Sequence, residues 1–383
     1  MKVLIYEHCF DISGHRIPYA GLTAQSFPDC EVIVCLPSQL QNHPELSDHF
    51  PNNVKFDFYE SLPKNKKSAR IRESWRCFRD RIKSITPDLV LVPTADRIAF
   101  WGGLMNSISL FKRNRPPIDI CLMRGHHCSA RASRFKKFAT GVKWSIITRG
   151  PWRRILVIDP RSFELLKRPE TRNIVLCPDP APAQLFHDST QARKVLGLPT
   201  AGKMIVSVGN QEHRKGSDLL LLGFVQADLP PEDFLVMMGK FDEKTKVVLE
   251  QLPPETLKRI IVRDSFVTDD ELQQAVVASD LVAVPYRDVE RPSGIVSRAV
   301  AWNRPLIGTD QGWIQWFINR YEAGYLTNPH DIGQFALDLQ IALTKNDNYQ
   351  PSPLCEEFRN FNTSDQYLRT WNSLYHLATE VEN

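Results

Sequence analysis

Short apolar runs alternate with amphipathic stretches along the whole chain, and the two periods predict strands and helices in succession. In the first half the runs are Val3 to His8, Glu31 to Leu36, Val54 to Phe58, Leu89 to Pro93, Ile118 to Met123, Ile155 to Ile158 and Asn173 to Cys177. Such runs, dense in Val, Ile and Leu, are the mark of strands buried on both faces of a parallel sheet. Between them, residues 68–83 put Ile71, Trp75, Phe78 and Ile82 on one helical face, which predicts a helix packed on that sheet. The proline cluster Pro178, Pro180 and Pro182 predicts a stiff linker. After it the rhythm resumes with Phe234 to Met238, Ile260 to Val262, Leu281 to Pro285, Pro305 to Gly308 and Gly324 to Leu326. Thr268 to Glu271 reads as a capping box opening a helix, and Glu356 to Thr379 reads as one long final helix. The whole predicts an α/β protein of two Rossmann-like, doubly wound domains. The first spans residues 1–178 with a returning C-terminal helix at 355–383, and the second spans residues 179–354.

Composition narrows the class. A chain of 383 residues suffices for two cores, and 42% apolar with 24% charged residues excludes a disordered or fibrous protein. No run of about 18 uncharged apolar residues marks a membrane span, and the N-terminal MKVLIYEHC lacks the apolar core of a signal peptide. Eight scattered cysteines without C-x-x-C spacing point to free thiols in a reducing cytoplasm. The net charge of +4 hides an asymmetry, since residues 1–175 hold 29 Lys and Arg against 16 Asp and Glu, and the remainder 19 against 28. Between Asp96 and Asp159 the sole acid is Asp119, against 13 basic residues. That imbalance predicts a phosphate-bearing partner. Residues 131–154 set Phe135, Phe138, Val142, Trp144 and Ile146 among basic side chains. Two arrangements satisfy this pattern: an amphipathic surface lying on anionic lipid at the inner face of the membrane, or a helix whose apolar face packs on the sheet. Nucleic acid is not an expected partner, because no RNA- or DNA-binding motif accompanies the charge.

Candidate chemistry concentrates in DLVAVPYRDVERPSGIVSRAVAWNRPLIGTD, residues 280–310. A buried strand runs into a polar loop, and a helix capped by Ser293 starts at Gly294 and Ile295 and ends at Arg304-Pro305. Ligands bind at the carboxyl ends of parallel strands, and the free amides of a helix start suit phosphate. MIVSVGNQEHRKGSDLLLLGF repeats the plan with Gly209, Asn210, Arg214 and Lys215 after its strand. In the first half, Gly14 and Arg16 follow the first strand, Asp96 the fourth, and His126 and His127 the fifth. The two histidines with Cys128 do not form a zinc site, because three adjacent residues cannot all face one ion.

These two stretches resemble the donor-binding segments of the retaining GT-B glycosyltransferases, the glycogen-synthase-like and sucrose-synthase-like superfamily (group 1). The resemblance implies two domains facing across a cleft and transfer of a sugar, a hexosyl group, from a nucleotide sugar to a hydroxyl acceptor with retention. That acceptor is a sugar or a lipid-linked sugar, as in cell-surface polysaccharide or glycolipid synthesis. The family's sugar-holding carboxylate falls on Glu290, and its ribose-holding carboxylate, eight positions on, falls on Arg298, which accepts no hydrogen bonds. Lys215 falls on the family's diphosphate lysine, while Asn210 stands where an arginine is usual, leaving Arg214 or Arg298 to supply charge. Ser293, Gly294 and Ile295 supply the helix-start amides. Phe266 or Val267 occupies the base-gripping loop, or simply packs in the core. His126, preferred to His127, faces the donor sugar, and Gly14 lies near the diphosphate. Arg16, Asp96 and His127 fall on the acceptor side, with helix capping the other reading of Asp96. No D-x-D metal motif occurs, so neither metal nor other cofactor is expected. The departures at Asn210 and Arg298 keep a rival reading open, a catalytically inactive binding or scaffold subunit.

Overall fold

The computed structural model describes residues 1–8, 16–43, 46–60, 67–96, 98–107, 116–123, 134–167, 173–181, 188–287, 290, 292–346 and 349–379. Contacts divide the chain into two compact units, Met1–Pro180 with Ser364–Asn383, and Ala181–Thr363.

In the first unit seven parallel strands, β1 (Lys2–Tyr6), β2 (Glu31–Pro37), β3 (Lys55–Tyr59), β4 (Leu89–Val92), β5 (Ile118–Leu122), β6 (Arg154–Val157) and β7 (Ile174–Leu176), pair in the order β3-β2-β1-β4-β5-β6-β7. Alternate residues of each strand serve opposite layers. Val3 and Ile5 join Ile17, Ala20, Tyr367 and Trp371 on one side, while Leu4 and Tyr6 join Trp75, Phe78 and Trp144 on the other. Helix Lys67–Ile85 buries Trp75, Phe78 and Ile82, as its period requires.

The second unit repeats the plan with β8 (Met204–Val208), β9 (Phe234–Met238), β10 (Ile260–Arg263), β11 (Leu281–Val284), β12 (Leu306–Thr309) and β13 (Gly324–Thr327), ordered β10-β9-β8-β11-β12-β13. Met204, Val206 and Val208 face a layer containing Trp302 and Trp313, and Ile205 faces one containing Leu220 and Phe335. Helix Asp269–Ala278 opens on the capping box expected of Thr268 and Glu271.

The final helical stretch departs from the sequence expectation of one element. It is two helices, Pro353–Phe361 and Ser364–Thr379. Asn362 separates them, its backbone amide and its side-chain Nδ2 both donating to the Phe358 carbonyl, at 3.0 and 2.8 Å. Competition of that kind between side chain and backbone favours a stop. The earlier helix keeps Cys355 and Phe358 in the second unit's core, so only Ser364–Thr379 belongs to the first unit.

Candidate functional site

A doubly wound sheet has its ligand crevice outside the strand carboxyl ends, where the strand order reverses. In the second unit that point lies between β8 and β11. The loops flanking it, residues 209–216 and 285–293, are the two that the sequence singles out.

Two glycines shape the first loop. Gly209 takes φ +89° and Gly216 φ +70°, backbone angles that favour glycine. A Cβ on Gly216 would stand 2.0 Å from the Pro285 carbonyl oxygen, so the turn presses directly against the end of β11. A Cβ on Gly209 would meet Lys215 Nζ at 3.1 Å, which seats the ammonium over the end of β8. Lys215 Nζ also lies 5.8 Å from the centroid of the Tyr286 ring, whose hydroxyl is 3.4 Å from Ser293 Oγ. Lys215, Tyr286 and Ser293 therefore run from the end of β8 to the start of helix Gly294–Ala301. Ser293 occupies the cap position without the side-chain bond that its identity predicts; its hydroxyl is near Tyr286 instead. The first-turn amides of Gly294 and Ile295 thus take no bond from that side chain and remain donors.

Buried polar groups hold the loops in place. Gln211, 1% exposed, donates from Nε2 to the carbonyls of Ser207, Gly209 and Met238, and its Oε1 accepts from the hydroxyls of Ser207 and Ser217. Arg287 makes a two-pronged bond to Asp218 at 2.5 and 2.8 Å and donates to the His213 carbonyl, tying the second loop to the first. Asp242 accepts from the His213 amide at 2.7 Å and from the amide and hydroxyl of Thr245. Desolvation alone would raise the Asp242 pKa, but these three donors outweigh it and hold the carboxyl below its ordinary range.

The other expected donor residues have mixed placements. Asn210 is exposed and donates to Glu212 Oε1 at 3.2 Å, while Arg214 pairs with Glu212 Oε2 at 3.1 Å. Arg298 is 8% exposed and its Nη1 meets Asp269 Oδ1, 3.1 Å away at the start of helix Asp269–Ala278. Where the resembled family keeps an acceptor, this chain thus has a donor anchored to an acid. Phe266 is 67% exposed and so is not a core residue, whereas Val267 packs on the core. Glu290 is half-buried in the second loop.

In the first unit the order reverses between β1 and β4. Glu7, fully buried after β1, accepts from the Thr94 hydroxyl after β4 and from the His8 amide. His8 is itself 1% exposed, and Tyr59 donates to the Glu7 carbonyl. Asp96, half-buried, accepts from the Met123 amide at 3.1 Å, linking the ends of β4 and β5. Arg16 is half-buried at the first position of helix Arg16–Gln25. Gly14, His126 and His127 lie outside the described residues. Glu7, His8, Gln211, Tyr286 and Arg287 were not singled out by sequence. The one available signal was position, since Glu7 and His8 end a predicted strand and Gln211, Tyr286 and Arg287 follow one.

Residues 202–345 match the family described as glycosyl transferases group 1. No curated protein matches the sequence. Among solved structures, sucrose-phosphate synthase from Thermosynechococcus elongatus is similar at a TM-score of 0.69, with 15% identity over 99% of each chain. Anabaena Alr3699/HepE in complex with UDP is similar at a TM-score of 0.64, with 15% identity over 100% of each chain; the same protein is also solved with UDP-glucose. A glycosyltransferase from Rickettsia africae is similar at a TM-score of 0.64, with 15% identity over 98% of this chain and 97% of that one. The fold of this chain is the GT-B fold, along its whole length. The match to the group 1 glycosyltransferases lies within the second unit.

Proposed function

We propose that this protein transfers a hexosyl group from a nucleotide sugar to a hydroxyl acceptor, a sugar or lipid-linked sugar, with retention at the anomeric carbon. The observation that carries the reading is Lys215, whose ammonium lies beside Gly209 at the end of β8 and 5.8 Å from the centroid of the Tyr286 ring in the second loop. A diphosphate leaving group gains negative charge as its bond to the sugar breaks. Lys215 and the amides of Gly294 and Ile295 would stabilise that charge without reorganising. Glu290 would orient the sugar hydroxyls, and the departing phosphate oxygen would take the acceptor's proton. Arg298 would meet the ribose as a donor, in place of an acceptor. UDP in the Anabaena structure makes a uridine nucleotide the first to try. Lys215 supplies the neutralising charge, so we propose that no metal is needed.

Thermal shift with UDP and UDP-sugars, followed by transfer and donor-hydrolysis assays with and without chelator, tests this reading. Lys215→Ala should weaken nucleotide binding about 10- to 100-fold, the worth of one charge-assisted contact, and chelation should leave the rate unchanged. A stabilising nucleotide whose effect survives Lys215→Ala would sink the assignment. The position of Arg298, pinned to Asp269, favours one rival, a catalytically inactive binding subunit. Nucleotide binding with neither transfer nor hydrolysis would select that rival.

A further inference from the structure

Helix Arg134–Thr148 has two faces with different surroundings. Trp144 and Ile147 are buried in the first unit's core. A Cβ on Gly103 would fall 1.9 Å from the Ile146 carbonyl oxygen, so this helix is seated closely on helix Ala99–Ser107. The opposite face shows Phe135 at 79% exposure, Phe138 at 70% and Val142 at 43%. Their spacing is that of one helical stripe. With Phe100 and Ile146 they line an apolar hollow of about 490 Å³. A contiguous exposed apolar patch of this kind marks an interaction surface. The expected pair of alternatives for residues 131–154 therefore resolves by residue, with Trp144 inward and the two phenylalanines outward.

Charge identifies the partner. The helix contains Arg134, Lys136, Lys137 and Lys143 and no acid. The sole acid between Asp96 and Asp159 is Asp119, which is buried and taken up by Arg153 at 2.9 Å. Lys143 is half-buried along the hollow; burial pushes its amine below the usual lysine range, and the Asp96 carboxylate opposes that. A second copy docking by the same patch would bring two basic helices together. An anionic bilayer instead offers hydrocarbon and negative charge at neighbouring depths, which complements the apolar stripe and basic composition of this helix.

We propose that helix Arg134–Thr148 docks the protein on anionic phospholipid, with Phe135, Phe138 and Val142 entering the boundary between headgroups and acyl chains. Nothing in this depends on the donor chemistry. The test is co-sedimentation of the full chain with vesicles of phosphatidylcholine, with and without phosphatidylglycerol, at low and high salt. Binding should require the anionic lipid and weaken at least about tenfold in high salt. Phe135→Ser combined with Phe138→Ser should weaken it roughly tenfold more, with an unchanged melting temperature because both side chains are exposed. Absence of binding to anionic vesicles would overturn the proposal, as would binding that the double variant retains. So would loss of a dimer, in place of loss of vesicle binding, in that variant.

Discussion

Gly216 shows how little freedom the donor-side loop has. Its φ of +70° costs a residue with a side chain about 1–2 kcal/mol, and the 2.0 Å approach of a Cβ to the Pro285 oxygen forces the end of β11 to move as well. Gly216→Ala should therefore destabilise the second unit by more than about 2 kcal/mol in urea titration. Nucleotide affinity should fall in parallel, because Lys215 precedes and Tyr286 follows the two residues that collide. Gln211 belongs to the same scale. Its amide serves three carbonyls, and nothing in the letters around it distinguishes it from an exposed loop glutamine. Such a role is set by partners up to 27 positions away, so it was not legible in the sequence. The Arg287–Asp218 pair, 69 positions apart, was hidden for the same reason. Lys215 was singled out only through resemblance, since a Lys-Gly pair opening a helix is otherwise an ordinary solvated end.

At the scale of elements, the strands were legible to within about two residues, because short runs dense in Val, Ile and Leu between turn signals mark strands by length and composition. Phe234–Met238 was read without error, and the box at Thr268 and Glu271 was legible because both partners lie within one turn. The stop at Asn362 was read through although the phase breaks there: Phe358 and Phe361 share one helical face, and the step from Phe361 to Tyr367 carries Tyr367 and Trp371 to the opposite one. Helix Glu243–Glu250 illustrates a cap with two duties, because Asp242 satisfies both Thr245 in that helix and His213 in the donor-side loop. Removing it with Asp242→Ala should cost about 2 kcal/mol, a lost cap plus an unmet amide. The pH dependence has a definite sign. The folded carboxyl ionises more readily than the unfolded one, so its contribution is complete above about pH 4 and disappears as pH falls through the folded pKa. The difference in melting temperature between wild type and Asp242→Ala should accordingly shrink in acid, as calorimetry would show.

On the scale of the whole molecule, the two units differ in how the chain supplies them. Ala181–Thr363 is continuous in sequence, whereas the first unit draws Tyr367, Trp371 and Leu374 from beyond the second. Residues 181–363 expressed alone should thus unfold cooperatively, while Trp371→Ala in the full chain should lower only the first unit's transition, by about 3–5 kcal/mol. A scanning calorimeter that saw both transitions fall together would contradict this independence. The arrangement also orders events during synthesis. The ribosome releases the second unit complete, and it is free to fold at once. Meanwhile the older first unit waits with one layer of its sheet, around Val3 and Ile5, lacking the helix that packs there. Its nascent form exposes apolar surface for as long as translation of the intervening residues lasts, a window in which aggregation competes with folding.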